Sequence, residues 1–203
     1  GLGDVYKRQF LPFLPMTALQ LLLLNLLYDI LCMTLPWDRV DVDAYERPSE
    51  WSGETLGRFM RFFGPLSSLF DLATFAFLYF VLCPILLGGG FSELDPAMQE
   101  QFAVLFHTGW FLESMWTQVL ILHLLRTKQL SLVKSRASGI VWLVTSAGLF
   151  ILTAIVYTPV ARLLGLVPLP LWYFGFLAGI ILAYMLLVTA AKRWYIQKYH
   201  TLL

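Results

Sequence analysis

Charge is what this sequence has least of. Only 13% of its 203 residues are Asp, Glu, Lys or Arg, whereas a soluble domain carries about 25% because its surface must face water. That shortage excludes an ordinary soluble enzyme, and it excludes a charge-rich disordered chain more firmly. The formal net charge is +1, so no bulk electrostatic pull toward nucleic acid exists. Cysteine is nearly absent. Cys32 and Cys83 lie in separate apolar runs, which offers neither a disulfide framework nor a Cys-x-x-Cys metal site. No Cys/His pair has the spacing of zinc ligands. His107 and His123, near opposite ends of one apolar block, read as interfacial or packing residues. The run Gly88-Gly89-Gly90 stands alone, without the strand and helix context of a phosphate loop.

Apolar residues make up 59% of the chain, and the mean hydropathy is +0.72. They come in blocks of membrane length. About 20 apolar residues of helix cross a bilayer core, and backbone in lipid must satisfy its own hydrogen bonds, so such blocks read as helices. Five spans are expected, near residues 16–35, 62–87, 102–125, 140–157 and 169–191. The fold class is therefore all-α, a polytopic helical membrane bundle whose first partner is the lipid bilayer. No obvious internal repeat exists. The first residues differ from the rest. Asp4 to Gln9, back-translated as GAT GTG TAT AAG AGA CAG, resembles a transposon-end adapter used in sequencing libraries. Residues 1–9 are read as an assembly scar, and residues 10–203 as one membrane domain.

Orientation follows from the basic residues. Leaving out the scar, eleven of twelve Lys and Arg fall on one side: Arg39 to Arg61, Arg126 to Arg136, and Lys192, Arg193 and Lys198 in the tail. The segment 88–101 has none. The positive-inside rule makes the basic side, and with it the carboxy terminus, cytoplasmic. Trp37, Trp172, Tyr173, Trp194 and Tyr195 lie near span ends, where aromatic side chains anchor a helix at the interface. Gly175, Gly179 and Ala183 recur every four residues and form a small-residue ridge on which another helix, of this chain or a partner, can pack.

Three spans carry one acid each: Asp29, Asp71 and Glu113. A carboxylate at the bilayer centre costs about 2.5–3.5 kcal/mol even on the gentler insertion scale. At ~1.5 Å per residue, all three reach the middle third of the membrane, and no Lys or Arg lies at matching depth. Carboxylates gathered without a basic partner need a cation, a proton or water. Asn25 and Asp29 are four residues apart and share a helix face. An amide oxygen beside a carboxylate suits a hard divalent cation. Tyr28 is adjacent. Glu113 and Gln118 share a face only loosely. Asp71 follows Gly64-Pro65-Leu66-Ser67-Ser68, and a hydrogen-bonded structural acid is an open alternative there. The candidate metal residues are Asn25, Asp29 and Glu113, with Tyr28 and Asp71 behind them.

The stretch from Leu11 to Asp29, with its spacing Gln20-x4-Asn25-x3-Asp29, resembles the end of the fifth and start of the sixth membrane helix of cation-transporting P-type ATPases. Met33-Thr34-Leu35-Pro36-Trp37-Asp38, Gly64-Pro65-Leu66-Ser67-Ser68-Leu69-Phe70-Asp71, Gly109-Trp110-Phe111-Leu112-Glu113 and His123-Leu124-Leu125-Arg126-Thr127 are similar to the bacterial magnesium-transporting branch. The likeness runs through Lys192-Arg193-Trp194-Tyr195. It implies helices six to ten of a ten-helix pump, a fragment of a larger translocase. It implies ion coordination at Asn25 and Asp29, and matches Glu113 to an acid on the eighth helix of calcium pumps. Tyr28 stands where calcium pumps place a threonine ligand, a departure from a calcium-like pair of sites. Pro36 to Arg61 looks like the loop that meets the phosphorylation domain.

The implied function is ATP-driven transport of Mg2+ across the bacterial cytoplasmic (inner) membrane. The Asp-Lys-Thr-Gly phosphorylation motif is not in this sequence, so this stretch cannot hydrolyse ATP by itself. The partners implied are the divalent cation, the remaining membrane helices and the cytoplasmic domains, where Mg2+ also accompanies ATP. A secondary cation or proton transporter, or a channel subunit with a carboxylate relay, is the alternative. A scaffold with merely hydrogen-bonded acids is a third.

Overall fold

The computed structural model describes residues 11–38, 53–125 and 138–199. The adapter-like residues 1–9, most of the loop read as meeting a phosphorylation domain, and the basic residues Arg126 to Arg136 lie outside the described residues. Among those described, five long helices and three short 3-10 turns occur, with no strand. α1 is Ala18–Thr34. α2 is continuous through Gly53–Phe77, a π-helical turn at Leu78–Leu82 and Cys83–Leu87. α3 is Pro96–Leu125, α4 Gly139–Ile155 and α5 Leu171–Tyr199.

Local chemistry sets these boundaries. α1 starts at a capping box: the Gln20 N–H donates to Thr17 Oγ1 at 3.4 Å, and the Thr17 N–H donates to Gln20 Oε1 at 3.1 Å. Pro36 follows its last turn, which tightens to a 3-10 turn at Leu35–Trp37. α2 runs longer than the apolar block 62–87, because the amphipathic residues before Phe62 continue the helix. Its wide π turn falls just before Pro84, which lacks an N–H and crowds the carbonyl four residues earlier. α2 ends at Gly88, whose φ of +81° suits glycine, and the Gly88 N–H donates to the Pro84 carbonyl at 2.8 Å. α4 begins at Ser138, whose Oγ accepts from the Val141 N–H. The Ser138 N–H in turn donates to Asp38 Oδ1 at 2.7 Å, which ties the end of α1 to the start of α4.

Three helical segments, Ala18–Trp37, Gly57–Glu93 and Leu171–Lys198, are long and apolar enough to cross a membrane by themselves. α4 is shorter. α3 is long, but polar side chains such as Gln99, Glu100, Thr108, Glu113 and Gln118 dilute its hydropathy. The fold explains the buried part of that polarity, at Thr108 and Glu113. α3 is the central helix and packs against α1, α2, α4 and α5. Phe102, Phe106, Leu112, Glu113 and Met115 on it are fully buried. A polar group enclosed by protein is tolerated at a depth where lipid would exclude it.

Two expectations about the surface change. Trp37, Trp172 and Trp194 are exposed. Tyr173 and Tyr195, read from sequence as interface anchors, are instead core residues. Tyr173 donates its hydroxyl to the Gly109 carbonyl at 2.7 Å, and Tyr195 packs among Phe59, Phe62 and Phe63. Proximity to a span end decides only depth, whereas helix face decides whether an aromatic ring sees protein or lipid. The ridge of Gly175, Gly179 and Ala183 faces outward, so among the described residues no helix of this chain lies on it.

Candidate functional site

Helix α1 presents two different sides. Gln20, Leu24, Leu27, Leu31 and Thr34 form its buried stripe. Gln20 is fully buried and donates through Nε2 to the carbonyls of Leu164 and Gly165, at 3.2 and 3.0 Å. That fixes the rotation of α1 at one end. Asp29 lies nine residues beyond Gln20, or about 2.5 turns at 3.6 residues per turn, so it points to the opposite side. Asn25 and Asp29 are both exposed. Tyr28, also exposed, reaches Cys32 on the next turn with a side-chain hydrogen bond. The pair Asn25 and Asp29 is thus placed together on one face, and that face is turned away from the interior of the bundle.

Glu113 is placed otherwise. Its side chain is fully buried in the middle of α3, within electrostatic reach of Tyr173 and Tyr184 on α5. The acids read from sequence as one gathered set therefore fall in separate surroundings: Asp29 outward from α1, Glu113 in the interior. Among the described residues, no three His, Cys, Asp or Glu side chains come close enough to hold a metal ion. The reason lies in the α1 register. Its Gln20 stripe is engaged with the bundle, which leaves the Asn25 side for something else to cover.

Asp71 occupies a third place. It lines a cavity of about 260 Å³ where α1, α2, α3 and α5 meet. Ser67 of α2, Ser114, Thr117 and Gln118 of α3, and Tyr184 of α5 share this lining. Tyr184 is hydrogen-bonded to Ser67 and lies within electrostatic reach of both Asp71 and Glu113. Tyr184 and Ser114 were not singled out in the sequence. No motif carries them, because the cavity is assembled from four helices, and only the spacing Ser67-x3-Asp71 hinted at a polar face. The histidines are packing groups: His107 is hydrogen-bonded through Nε2 to the Leu14 carbonyl, and His123 meets Thr145 Oγ1 at 3.1 Å while stacking on Trp142.

A helical membrane bundle whose acids sit on its central helix, beside a half-open pocket between four helices and on one uncovered helix face is consistent with a membrane domain that handles ions. The comparisons agree with that class. Residues 13–194 match the family described as "Cation transporting ATPase, C-terminus", and the chain belongs to this family. It is 38% identical over 190 residues to the magnesium-transporting ATPase, P-type 1, of Salmonella typhimurium strain LT2, and 38% identical over 190 residues to the protein of that name from Escherichia coli K12. Each alignment covers 94% of this chain and 20% of the relative. The chain thus spans about a fifth of the length of these curated relatives. Family membership does not favour the secondary transporter or channel reading.

Proposed function

We infer that this chain is the carboxy-terminal membrane part of an ATP-driven magnesium pump of the bacterial cytoplasmic membrane, with its carboxy terminus in the cytoplasm. The observation that carries the reading is the similarity to magnesium-transporting ATPases over 94% of the chain. In this reading α3 and α4 cross the membrane together with the three more apolar helices, on the spans near 16–35, 62–87, 102–125, 140–157 and 169–191, and residues 1–9 are not native sequence.

Asn25 and Asp29 are the ion-coordinating pair. Their exposed face is the one that the remaining membrane helices of the parent pump would cover. One amide oxygen and one carboxylate cannot complete the octahedron that Mg2+ demands, so the other ligands are water and groups on those helices. Tyr28 borders this site. The buried Glu113 contributes negative potential from the neighbouring helix, where low dielectric lengthens its reach. ATP, with its own Mg2+, acts in the cytoplasmic domains of the parent. Phosphorylation there biases a two-state membrane domain between its inward and outward openings.

Proteoliposomes carrying the full-length parent and loaded with Mg2+ test the reading. External ATP is expected to drive Mg2+ out through pumps whose cytoplasmic side faces outward, with the flux unchanged by a protonophore. Flux that needs a proton gradient and ignores ATP would instead establish a secondary transporter.

A further inference from the structure

Gln20 is an amide in a fully buried position at the start of a leucine-rich helix. Both ends of its side chain are used. Oε1 accepts from the Thr17 N–H at 3.1 Å, within the cap of its own helix. Nε2 leaves the helix and donates to the carbonyls of Leu164 and Gly165, which are 144 and 145 residues away in sequence. A cap alone needs only the oxygen; the nitrogen serves the other segment. Gly165, at φ +63°, turns the chain there so that two successive carbonyls face one donor.

The segment that receives this donor joins α4 to α5. It is packed into the bundle, with Ala161, Leu166 and Leu169 buried. Two residues past Gly165 it grips a second helix. The Val167 N–H donates to Thr108 Oγ1 on α3 at 3.1 Å, and that hydroxyl is oriented by donating to the Val104 carbonyl at 2.9 Å. Thr108 is fully buried as well. One short segment thus holds α1 by Gln20 and α3 by Thr108. In a bilayer the carbonyls and the N–H would have no water to turn to if released, so the grip is hard to exchange.

These two helices carry Asn25, Asp29 and Glu113. They run parallel. Phe13, just before α1, packs on Phe102 and Phe106 of α3, and toward the far ends Asp38 and His123 both reach the beginning of α4, at Ser138 and Thr145. Asn25 lies five residues past Gln20, and Glu113 five residues past Thr108. At ~1.5 Å per residue, each stands about 7.5 Å along its helix from the segment that holds it. The amide of α1 and the acid of α3 are therefore hung at one level from a shared support.

We infer that Gln20 and Thr108 are positioning residues for the ion. Through the α4–α5 segment they set α1 and α3 in register, so that the Asn25–Asp29 pair meets the negative potential of Glu113 at the same depth. Neither residue touches the ion. The inference rests on the chain being part of a Mg2+ pump whose ion binds at Asn25 and Asp29.

Isothermal titration of Mg2+ into the full-length parent in detergent, without ATP, tests it. Gln20→Met removes the amide at similar length, and Thr108→Val removes the hydroxyl at similar volume. Each is expected to raise the Mg2+ dissociation constant about five- to tenfold. The double variant should be no worse than about tenfold, because loss of either grip frees the same segment and the second loss adds little. Thr108→Ser keeps the hydroxyl and should bind Mg2+ as the unaltered pump does. Thr17→Val removes the capping hydroxyl of α1, so it should lower the unfolding temperature and leave Mg2+ affinity in place. A fall in unfolding temperature with unchanged affinity in both Gln20→Met and Thr108→Val would overturn the inference. So would equal weakening by Thr17→Val, or effects that multiply in the double variant. Absence of Mg2+ binding by the unaltered pump would defeat the pump reading and this role with it, whereas binding that is present and indifferent to both variants defeats the role alone.

Discussion

Asp29→Ala in the full-length pump is expected to abolish magnesium-stimulated ATP hydrolysis and Mg2+ transport. The argument is electrostatic. Asp29 is the only charged group on α1 between Ala18 and Thr34. It is exposed beside Asn25 on the face that the bundle leaves uncovered. Alanine removes the charge and both oxygens, while the buried stripe from Gln20 to Thr34 and its hydrogen bonds to Leu164 and Gly165 are untouched. Folding should therefore survive. A carboxylate lost from a divalent site is expected to weaken ion binding at least about 100-fold, or about 3 kcal/mol. Asp29→Asn keeps the volume and one oxygen, so it should bind weakly and retain a trace of turnover at high Mg2+. Normal uptake by Asp29→Ala would remove the residue from the transport path.

Gly109→Val is expected to destabilise the domain more than any other single substitution of a glycine among the described residues. A Cβ built at Gly109 would stand 2.4 Å from Leu78 Cδ2 and 3.2 Å from Cδ1, and Leu78 is fully buried in the π turn of α2. The same glycine offers its carbonyl to the Tyr173 hydroxyl, so α2, α3 and α5 converge there. Overpacking of this kind costs about 1–3 kcal/mol, and the branched valine should lie at the upper end. Gly109 is one turn before Glu113, so displacement there also moves the buried acid. Thermal unfolding of the parent in detergent should fall for Gly109→Ala and further for Gly109→Val. Adding Leu78→Ala should recover part of the loss. An unchanged unfolding temperature for Gly109→Val would show that the helices do not approach as closely as described.

These two positions illustrate what was legible in the sequence. The helices and their approximate positions followed from blocks of apolar residues, because the cost of unsatisfied backbone in lipid leaves only helices. The acids stood out for the same reason. Helix rotation did not. α1 is leucine-rich on every side, with Leu21, Leu22, Leu24, Leu26 and Leu27 all in its middle, so no apolar stripe announces which side packs inward. The side was decided by Gln20, which sequence reading used only as a spacing marker, and whose partners lie about 145 residues away. The burial of Glu113 and the cavity around Asp71 were hidden likewise, since each is assembled from several helices. Gly109 carried no signal either: a glycine in a helix suggests close approach, but only the position of Leu78 shows to what. The central place of α3 was not read from the sequence either, although its polarity, which weakens it as a membrane span on composition, fits that place.

Direct Mg2+ binding reaches furthest into this account. Isothermal titration of the full-length pump without ATP should show a site in the unaltered protein that is weakened severely in Asp29→Asn and less in Asn25→Ala, with unfolding temperatures unchanged. Equal Mg2+ binding by Asp29→Asn and the unaltered pump would mean that the open face of α1 holds no ion.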